Sequence, residues 1–339
     1  MNESEMRLDP LRQTWTVFSP DRALQPQLSA RKPAEAPAPL SPFVSGQEKF
    51  LGQVIHEKAL EPDWRVRVVP NRAPILRVEG DPRRRADGFY DRSAAVGAHE
   101  VIIETADQTT LEELDLPKIG SVIEAWKLRM VDLLGDKRMR SFFVLKDVGV
   151  PAGERVSHSL SQLVAMAIVP PHLRAKLKVA RGFYADKGRS IFEDILTEEL
   201  RANGARLGSR MVYENNGFAL FCPYASRSPF EQMILPKRQC ADFHGISDQE
   251  ISQLADVLKT GLMKLHRALN QPAYNLMLTT APTRTVRRDQ WNTIDQDFRW
   301  HIEIVPRLYH LGGFELATGC HVNTVLPEVA ADYLRKIDI

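Results

Sequence analysis

The chain has little cysteine. Cys222, Cys240 and Cys320 are odd in number and too far apart for a C-x-x-C pair. A disulfide scaffold is therefore excluded as an expectation, and a reducing, cytoplasmic setting fits, with the thiols acting as small buried hydrophobes. Long apolar runs are also missing. Nothing approaches the roughly 18 consecutive apolar residues of a membrane span, and residues 1–9 are polar and acidic, so neither a spanning helix nor a secretory leader is expected. No charge of one sign dominates. Lys+Arg 45 against Asp+Glu 43 leaves a net +2, which argues against nucleic acid as the main partner.

What is present is ordinary for a globular protein: 339 residues, 43% hydrophobic and 26% charged. That length exceeds one average domain, so two domains or two fused repeats are expected.

Residues 25–45 carry five prolines (Pro26, Pro33, Pro37, Pro39 and Pro42) and read as an extended connector. Short strands are expected at 15–18, 65–69, 99–104, 141–145 and 162–169. A helix is expected over 109–134, with Leu111, Leu114, Ile119, Val122, Ile123, Trp126 and Met130 on one face. The charged stretch 80–92, with Arg83-Arg84-Arg85, reads as a solvated surface loop. A second cycle follows: a helix at 193–204, a strand pair around Asn216-Gly217, a strand at 233–235, a long helix at 248–269 capped by Ser247, and strands at 274–279 and 300–305. The same order of elements thus occurs twice. We expect an α+β fold of two fused repeats, residues 1–178 and 179–339, each an antiparallel sheet with packed helices.

Several segments carry more than pattern. Residues 146–162 read Lys-Asp-Val-Gly-Val-Pro-Ala-Gly-Glu-Arg-Val-Ser-His-Ser-Leu-Ser-Gln. Others are Asp9-Pro10-Leu11, Ser19-Pro20-Asp21-Arg22-Ala23, Val69-Pro70-Asn71-Arg72, and Gly97-Ala98-His99-Glu100-Val101-Ile102-Ile103-Glu104. The second half adds Tyr224-Ala225-Ser226-Arg227-Ser228-Pro229-Phe230-Glu231, Trp300-His301-Ile302-Glu303-Ile304-Val305-Pro306-Arg307, and Gly313-Phe314-Glu315 before Thr318-Gly319. Taken in order, these resemble the galactose-1-phosphate uridylyltransferase family of the histidine-triad superfamily across nearly the whole chain.

That resemblance implies a two-step nucleotidyl exchange. In active members a histidine attacks the α-phosphorus of UDP-glucose and then passes the uridylyl group to a hexose 1-phosphate. The family strand reads roughly N-x-G-x-x-x-G-x-S-x-x-H-P-H-x-Q, and its second His is the nucleophile. Here that position is Leu160, which has no lone pair. Ser159 and Ser161 belong to the opposite strand face, and His158 is offset by about 7 Å along the strand, so neither is expected to replace it. Gly149, Gly153 and Gln162 match the pattern. Asp147 stands where the family has Asn, and Arg155 where it has Ser; these two could pair with each other or re-aim a phosphate.

The resemblance further implies nucleotide or phosphate contacts at Arg22, Asn71, Arg72, Asp147, Gly153, Arg155 and Gln162, and hexose contacts at Phe314 and Glu315. Many members bind zinc through two Cys and two His. Ser41, Val44 and Gln108 replace three of those ligands and only His158 is kept, so no zinc and no other cofactor is expected. His301 and Glu303 resemble part of a second metal site, and a hydrogen-bonded pair is the expectation for them. His99 is read as structural.

The function expected is a non-classical member that binds a nucleotide or a nucleotide sugar such as UDP-glucose without a His-uridylyl intermediate. The alternatives are an active uridylyltransferase, nucleotidyltransferase or phosphorylase using direct displacement, and a non-catalytic partner-binding module. A homodimer is implied by the family; a membrane or nucleic-acid partner is not expected.

Overall fold

The structure is a computed structural model that describes residues 4–24, 41, 43–44, 53–61, 64–107, 109–201, 208–284 and 292–339. Most of the Pro-rich connector, and Gln108, lie outside the described residues. The N-terminal strands β1 (Glu5–Leu8) and β2 (Trp15–Phe18) form a small separate sheet. The first repeat then runs β3 (His56–Glu61), β4 (Trp64–Pro70), β5 (Arg85–Asp87), β6 (Tyr90–Arg92), β7 (Gly97–Ile103), α1 (Leu116–Leu133), β8 (Ser141–Val148) and β9 (Leu160–Met166). Two helices, α2 (Pro171–Lys187) and α3 (Ile191–Arg201), lead to the second repeat. It consists of β10 (Met211–Glu214), β11 (Phe218–Phe221), β12 (Gln232–Pro236), α4 (Asp248–Leu269), β13 (Tyr274–Thr279), a single helical turn α5 (Ile294–Asp297) and β14 (His301–Pro306). The chain closes with α6 (Gly313–Thr318), β15 (His321–Asn323), which joins the small sheet, and α7 (Pro327–Arg335).

The large sheet has ten strands in the order β10-β11-β12-β14-β13-β8-β9-β7-β4-β3. Read outward from its centre, each half is the same: β8, β9, β7, β4, β3 on one side and β13, β14, β12, β11, β10 on the other. The halves meet where β8 and β13 pair antiparallel, with Leu145 opposite Met277. The duplication expected from element order is therefore present as a twofold topology.

Both long helices pack on one face of this sheet, and the main core lies between. Helix α4 shows why. Ile251, Leu254, Ala255, Leu258, Leu262 and Leu265 fall on one stripe and are buried. Each such leucine contributes about 1.5–3 kcal/mol by leaving water. Ser247 starts the helix by accepting from the Glu250 amide, Glu250 accepts in return from the Ser247 amide, and Asn270 ends it at a left-handed φ of 54°. On the sheet side Val66, Val68, Ile102, Val144, Leu276, Leu278, Ile302 and Ile304 point into this core.

The opposite face differs between the halves. Over the second half α2 and α3 cover it, with Leu173, Leu177, Phe192 and Leu196 packed on Met211, Phe221, Met233 and Leu235. Over the first half only a small cluster stands, Val69, Val101 and Ile103 with Phe43 and Leu160 against them.

Several elements depart from the sequence reading. Residues 109–134 split into a short turn at Leu111–Glu113 and α1, because Pro117 fits the first turn of a helix and not its middle. The stretch 80–92 contains the exposed hairpin β5–β6. Helix α2 was not expected, nor was the C-terminal assembly of α6, β15 and α7.

Candidate functional site

The open face of the first half forms a cleft of about 510 Å³. Its floor is the alternate face of β4, β7, β8 and β9: Val69, Val101, Leu145, Leu160 and Gln162. One wall is the segment after β4, with Asn71 and Arg72; the other is the loop after β8, with Gly153, Glu154 and Arg155. Every lining residue lies between Phe43 and Val164, so the first repeat alone builds the cleft.

Register explains this grouping. Gln162 on β9 sits opposite Val101 on β7 and Leu145 on β8, and Leu160 opposite Ile103. Two residues along, Leu160 shares the face of Gln162. Ser161 points the other way, into the helix layer, where its hydroxyl accepts from Trp126 Nε1 at 2.8 Å.

A hydrogen-bond chain holds Gln162. The His99 Nδ1 accepts the Ile75 amide at 3.2 Å, which leaves the proton on Nε2. That Nε2 donates to Gln162 Oε1 at 2.7 Å, with Asn71 Nδ2 3.1 Å away. Gln162 Nε2 donates on to Asp147 Oδ2 at 3.3 Å. The Asn275 amide, from β13 of the second repeat, donates to Asp147 Oδ1 at 2.6 Å and to the Ala152 carbonyl at 2.8 Å. Asp147 is thus bonded to Asn275 and Gln162 and makes no pair with Arg155. Arg155 is exposed at the rim, with no ion-pair partner among the described residues.

The loop after β8 needs its glycines. Gly149 has φ 81°, and a Cβ there would meet Ala273 Cβ at 2.7 Å; Gly153 has φ 94°. Glu154 closes the turn by accepting from the Gly149 amide at 2.9 Å, and burial raises its pKa above the usual carboxylate range.

The remaining expected residues fall elsewhere. Arg22 is exposed on the short turn Pro20–Leu24 and is not in the cleft. Phe314 and Glu315 lie on exposed α6; Glu315 Oε2 accepts from the Gly312 amide at 2.8 Å and caps that helix. Neither lines the cleft of its own chain.

His158 is buried with its ring 5.8 Å from that of Phe43, its Nε2 donating to the Thr105 carbonyl at 2.9 Å; burial lowers its pKa and keeps it neutral. Ser41 is buried, and its hydroxyl accepts the Phe43 amide at 3.2 Å. Val44 offers no ligand atom. One imidazole with a hydroxyl already in use does not make a zinc site, so this donor set does not fit the metal.

The face-equivalent position in the second half is Glu303, opposite Met233 on β12 and Met277 on β13. There the space is filled with charge. Lys176 of α2 donates to His301 Nε2 at 2.7 Å and to Glu303 Oε2 at 2.9 Å. Arg12 and Arg227 both reach Glu231 and Glu303. The neighbouring ammonium and guanidinium groups hold Glu303 well below the usual carboxylate range against the cost of burial, and burial together with Lys176 pushes His301 down to about 3. His301 and Glu303 are hydrogen-bonded through a lysine.

Sequence reasoning missed Lys176 and Asn275 and gave His99 no part in the site. Only the strand register could have found His99, because it brings the ring beside Gln162.

In chemical terms the cleft joins an apolar floor to a fixed amide, a carboxylate and rim arginines. Among the described lining residues no imidazole is free to attack: both nitrogens of His99 are engaged, and Leu160 is a hydrocarbon.

No family model matches the chain. Among curated proteins it is 29% identical over 342 residues to ADP-glucose phosphorylase of Arabidopsis thaliana, covering 99% of this chain and 93% of the relative. It is 25% identical over 344 residues to galactose-1-phosphate uridylyltransferase of Thermotoga maritima, covering 99% of both. Among solved structures, the Arabidopsis ADP-glucose phosphorylase with bound ADP-glucose superposes with a TM-score of 0.85 at 28% identity, over 99% of this chain and 100% of the other. A uridylyltransferase structure at 23% identity and TM-score 0.72 shares the fold. Duplicated sheet and open first-half cleft together define the class: a two-repeat α+β protein with the fold of these relatives. Within that class the chain is similar along nearly its whole length to galactose-1-phosphate uridylyltransferases and to ADP-glucose phosphorylase.

Proposed function

We propose that this protein binds a nucleoside diphosphate sugar in the first-repeat cleft without forming a covalent nucleotidyl-enzyme. The observation that carries the reading is Leu160 seated on the cleft floor beside a Gln162 held by His99 and Asp147. Asn71, Arg72, Gly153, Arg155 and Gln162 line that cleft, and the nucleophile position holds a hydrocarbon. Asn71, Arg72, Gly153 and Arg155 then contact phosphate and ribose, and the apolar floor takes the flat faces. The ADP-glucose bound by the Arabidopsis relative, and the uridylyl chemistry of the others, make ADP-glucose and UDP-glucose the ligands to try first.

The second reading is direct displacement at the α-phosphorus by a phosphate or a hexose 1-phosphate. Arg155 favours it, being exposed at the rim with no ion pair among the described residues and so available to developing phosphoryl charge. Direct displacement inverts the configuration at phosphorus; two successive displacements retain it.

We also propose a homodimer in which exposed Phe314 and Arg22, with half-buried Glu315, meet the partner's cleft, since none of them reaches the cleft of its own chain. No zinc takes part in this scheme, and the free thiols suit the cytoplasm. Among the described residues no helix is long and apolar enough to cross a membrane.

Calorimetric titration with ADP-glucose and UDP-glucose, followed by the intact mass of the quenched mixture, tests this. Saturable binding with no mass increase is expected. A nucleotidyl adduct would overturn the non-covalent reading, and no binding of either sugar would leave the family's partner-binding alternative.

A further inference from the structure

A second cavity, of about 400 Å³, lies on the helix side of the sheet, between the short turn Leu111–Glu113 and the end of α4. It is separated from the nucleotide cleft by the loop after β8, and Glu154 lines both. Its polar groups are unusual in being buried and unused. Among the described residues the Tyr274 hydroxyl, Glu112 Oε2 and His158 Nδ1 have no hydrogen-bond partner, and each of these residues is at least nine-tenths buried. Native proteins seldom leave such atoms unpaired without an occupant.

The chemistry of the occupant follows from which atoms are spare. His158 spends its proton on the Thr105 carbonyl, so Nδ1 presents a lone pair. Glu112 uses only Oε1, on His266 Nδ1 at 3.0 Å. Lys146 is the one buried cation lining the cavity, and its three protons are taken by Glu104, Ser159 and the Leu160 carbonyl. The spare groups are thus mainly acceptors, in a cavity whose carboxylates Glu112, Glu113 and Glu154 outnumber its available positive charge. Leu262 and Leu265 supply an apolar wall. A phosphate would find acceptors facing acceptors. A protonated amine would find carboxylate, imidazole and phenol oxygen or nitrogen waiting for its protons, with room for a short methylene body.

We propose that this cavity is a binding site for a small organic ammonium compound, a primary amine carried on a short alkyl chain. The volume is large for a bare metal ion and suits a molecule of several heavy atoms. The site is separate from the nucleotide cleft and does not depend on what that cleft binds.

The test titrates the full-length protein with 1,4-diaminobutane, using butane-1,4-diol as a neutral analogue of the same length. Saturable binding of the diamine is expected, with the diol at least about tenfold weaker. Glu112→Gln should weaken the diamine by about tenfold or more, and Tyr274→Phe by a few-fold, in protein that still melts cooperatively. No saturable diamine binding by the wild type, equal binding of diol and diamine, or folded variants with unchanged affinity would each overturn the proposal. If Glu112→Gln fails to fold, the wild-type comparison and Tyr274→Phe still decide it.

Discussion

The two halves of the large sheet have one topology and opposite fates. At the β7–β9 position of the first half, the outer face stays open and presents Gln162. At the matching β12–β14 position of the second, Lys176, Arg12 and Arg227 close over Glu303 and Glu231. What differs is the element that follows. After β9 the chain runs into α2, which crosses to cover the second half, and among the described residues no helix covers that face of the first half. A duplicated scaffold can thus keep one cleft for ligand and spend the other on stability.

The comparison can be broken from either side. The largest effect is expected from Leu160→His, which puts an imidazole beside Gln162. Incubation with ADP-glucose and acid quench should then yield a nucleotidyl adduct by mass spectrometry, absent in the wild type. Lys176→Met should cost about 3 kcal/mol in urea unfolding, because Glu303 and Glu231 stay buried with one cation fewer. Gln162→Ala, at the corresponding face of the first half, should change stability by less than about 0.5 kcal/mol, since its site is open. If the two substitutions cost the same, the contrast between a filled and an open half fails.

Asn275→Ala tests a side chain of the second repeat that holds Asp147 of the cleft. Loss of its bonds to Asp147 and the Ala152 carbonyl should cost about 1–3 kcal/mol and weaken nucleotide-sugar binding by loosening the loop. Unchanged affinity would mean that the loop is held by its glycines and Glu154 alone.

A smaller effect concerns pH. His301 is neutral when folded, with its pKa near 3, and titrates near 6.5 when unfolded. Between these values the unfolded chain binds one more proton, so stability should fall as pH drops from 6.5, by about 1.4 kcal/mol per pH unit at most. His301→Gln should flatten that slope between pH 6.5 and 5. The same slope in both proteins would place the proton uptake elsewhere.

Much of the fold was legible in the sequence because its strands and α4 obey simple periods. Ser247 marked the start of α4, and Asn216-Gly217 marked the β10–β11 turn. Helix α2 was hidden by its own function. Its buried stripe is Leu173, Lys176, Leu177 and Ala180, and a lysine on an apolar stripe breaks the pattern unless its carboxylate partner is already known. That partner, Glu303, is far along the chain. The loop of the site and Gln162 were legible only through the resemblance of residues 146–162 to the uridylyltransferase strand. His99 and Asn275 were not, because they reach Gln162 and Asp147 only through pairing between strands distant in sequence. The Asp147–Arg155 pair failed for a related reason: closeness in sequence favoured it, and Asn275 on the neighbouring strand held Asp147 instead.

The most direct test of the central claim is a crystal structure of the protein with ADP-glucose. The account predicts ligand density in the first-repeat cleft, phosphates near Gln162 and Arg155, no covalent bond to the protein, and the Glu303 cluster unchanged. Ligand bound over the second half, or covalently joined to any side chain, would contradict it.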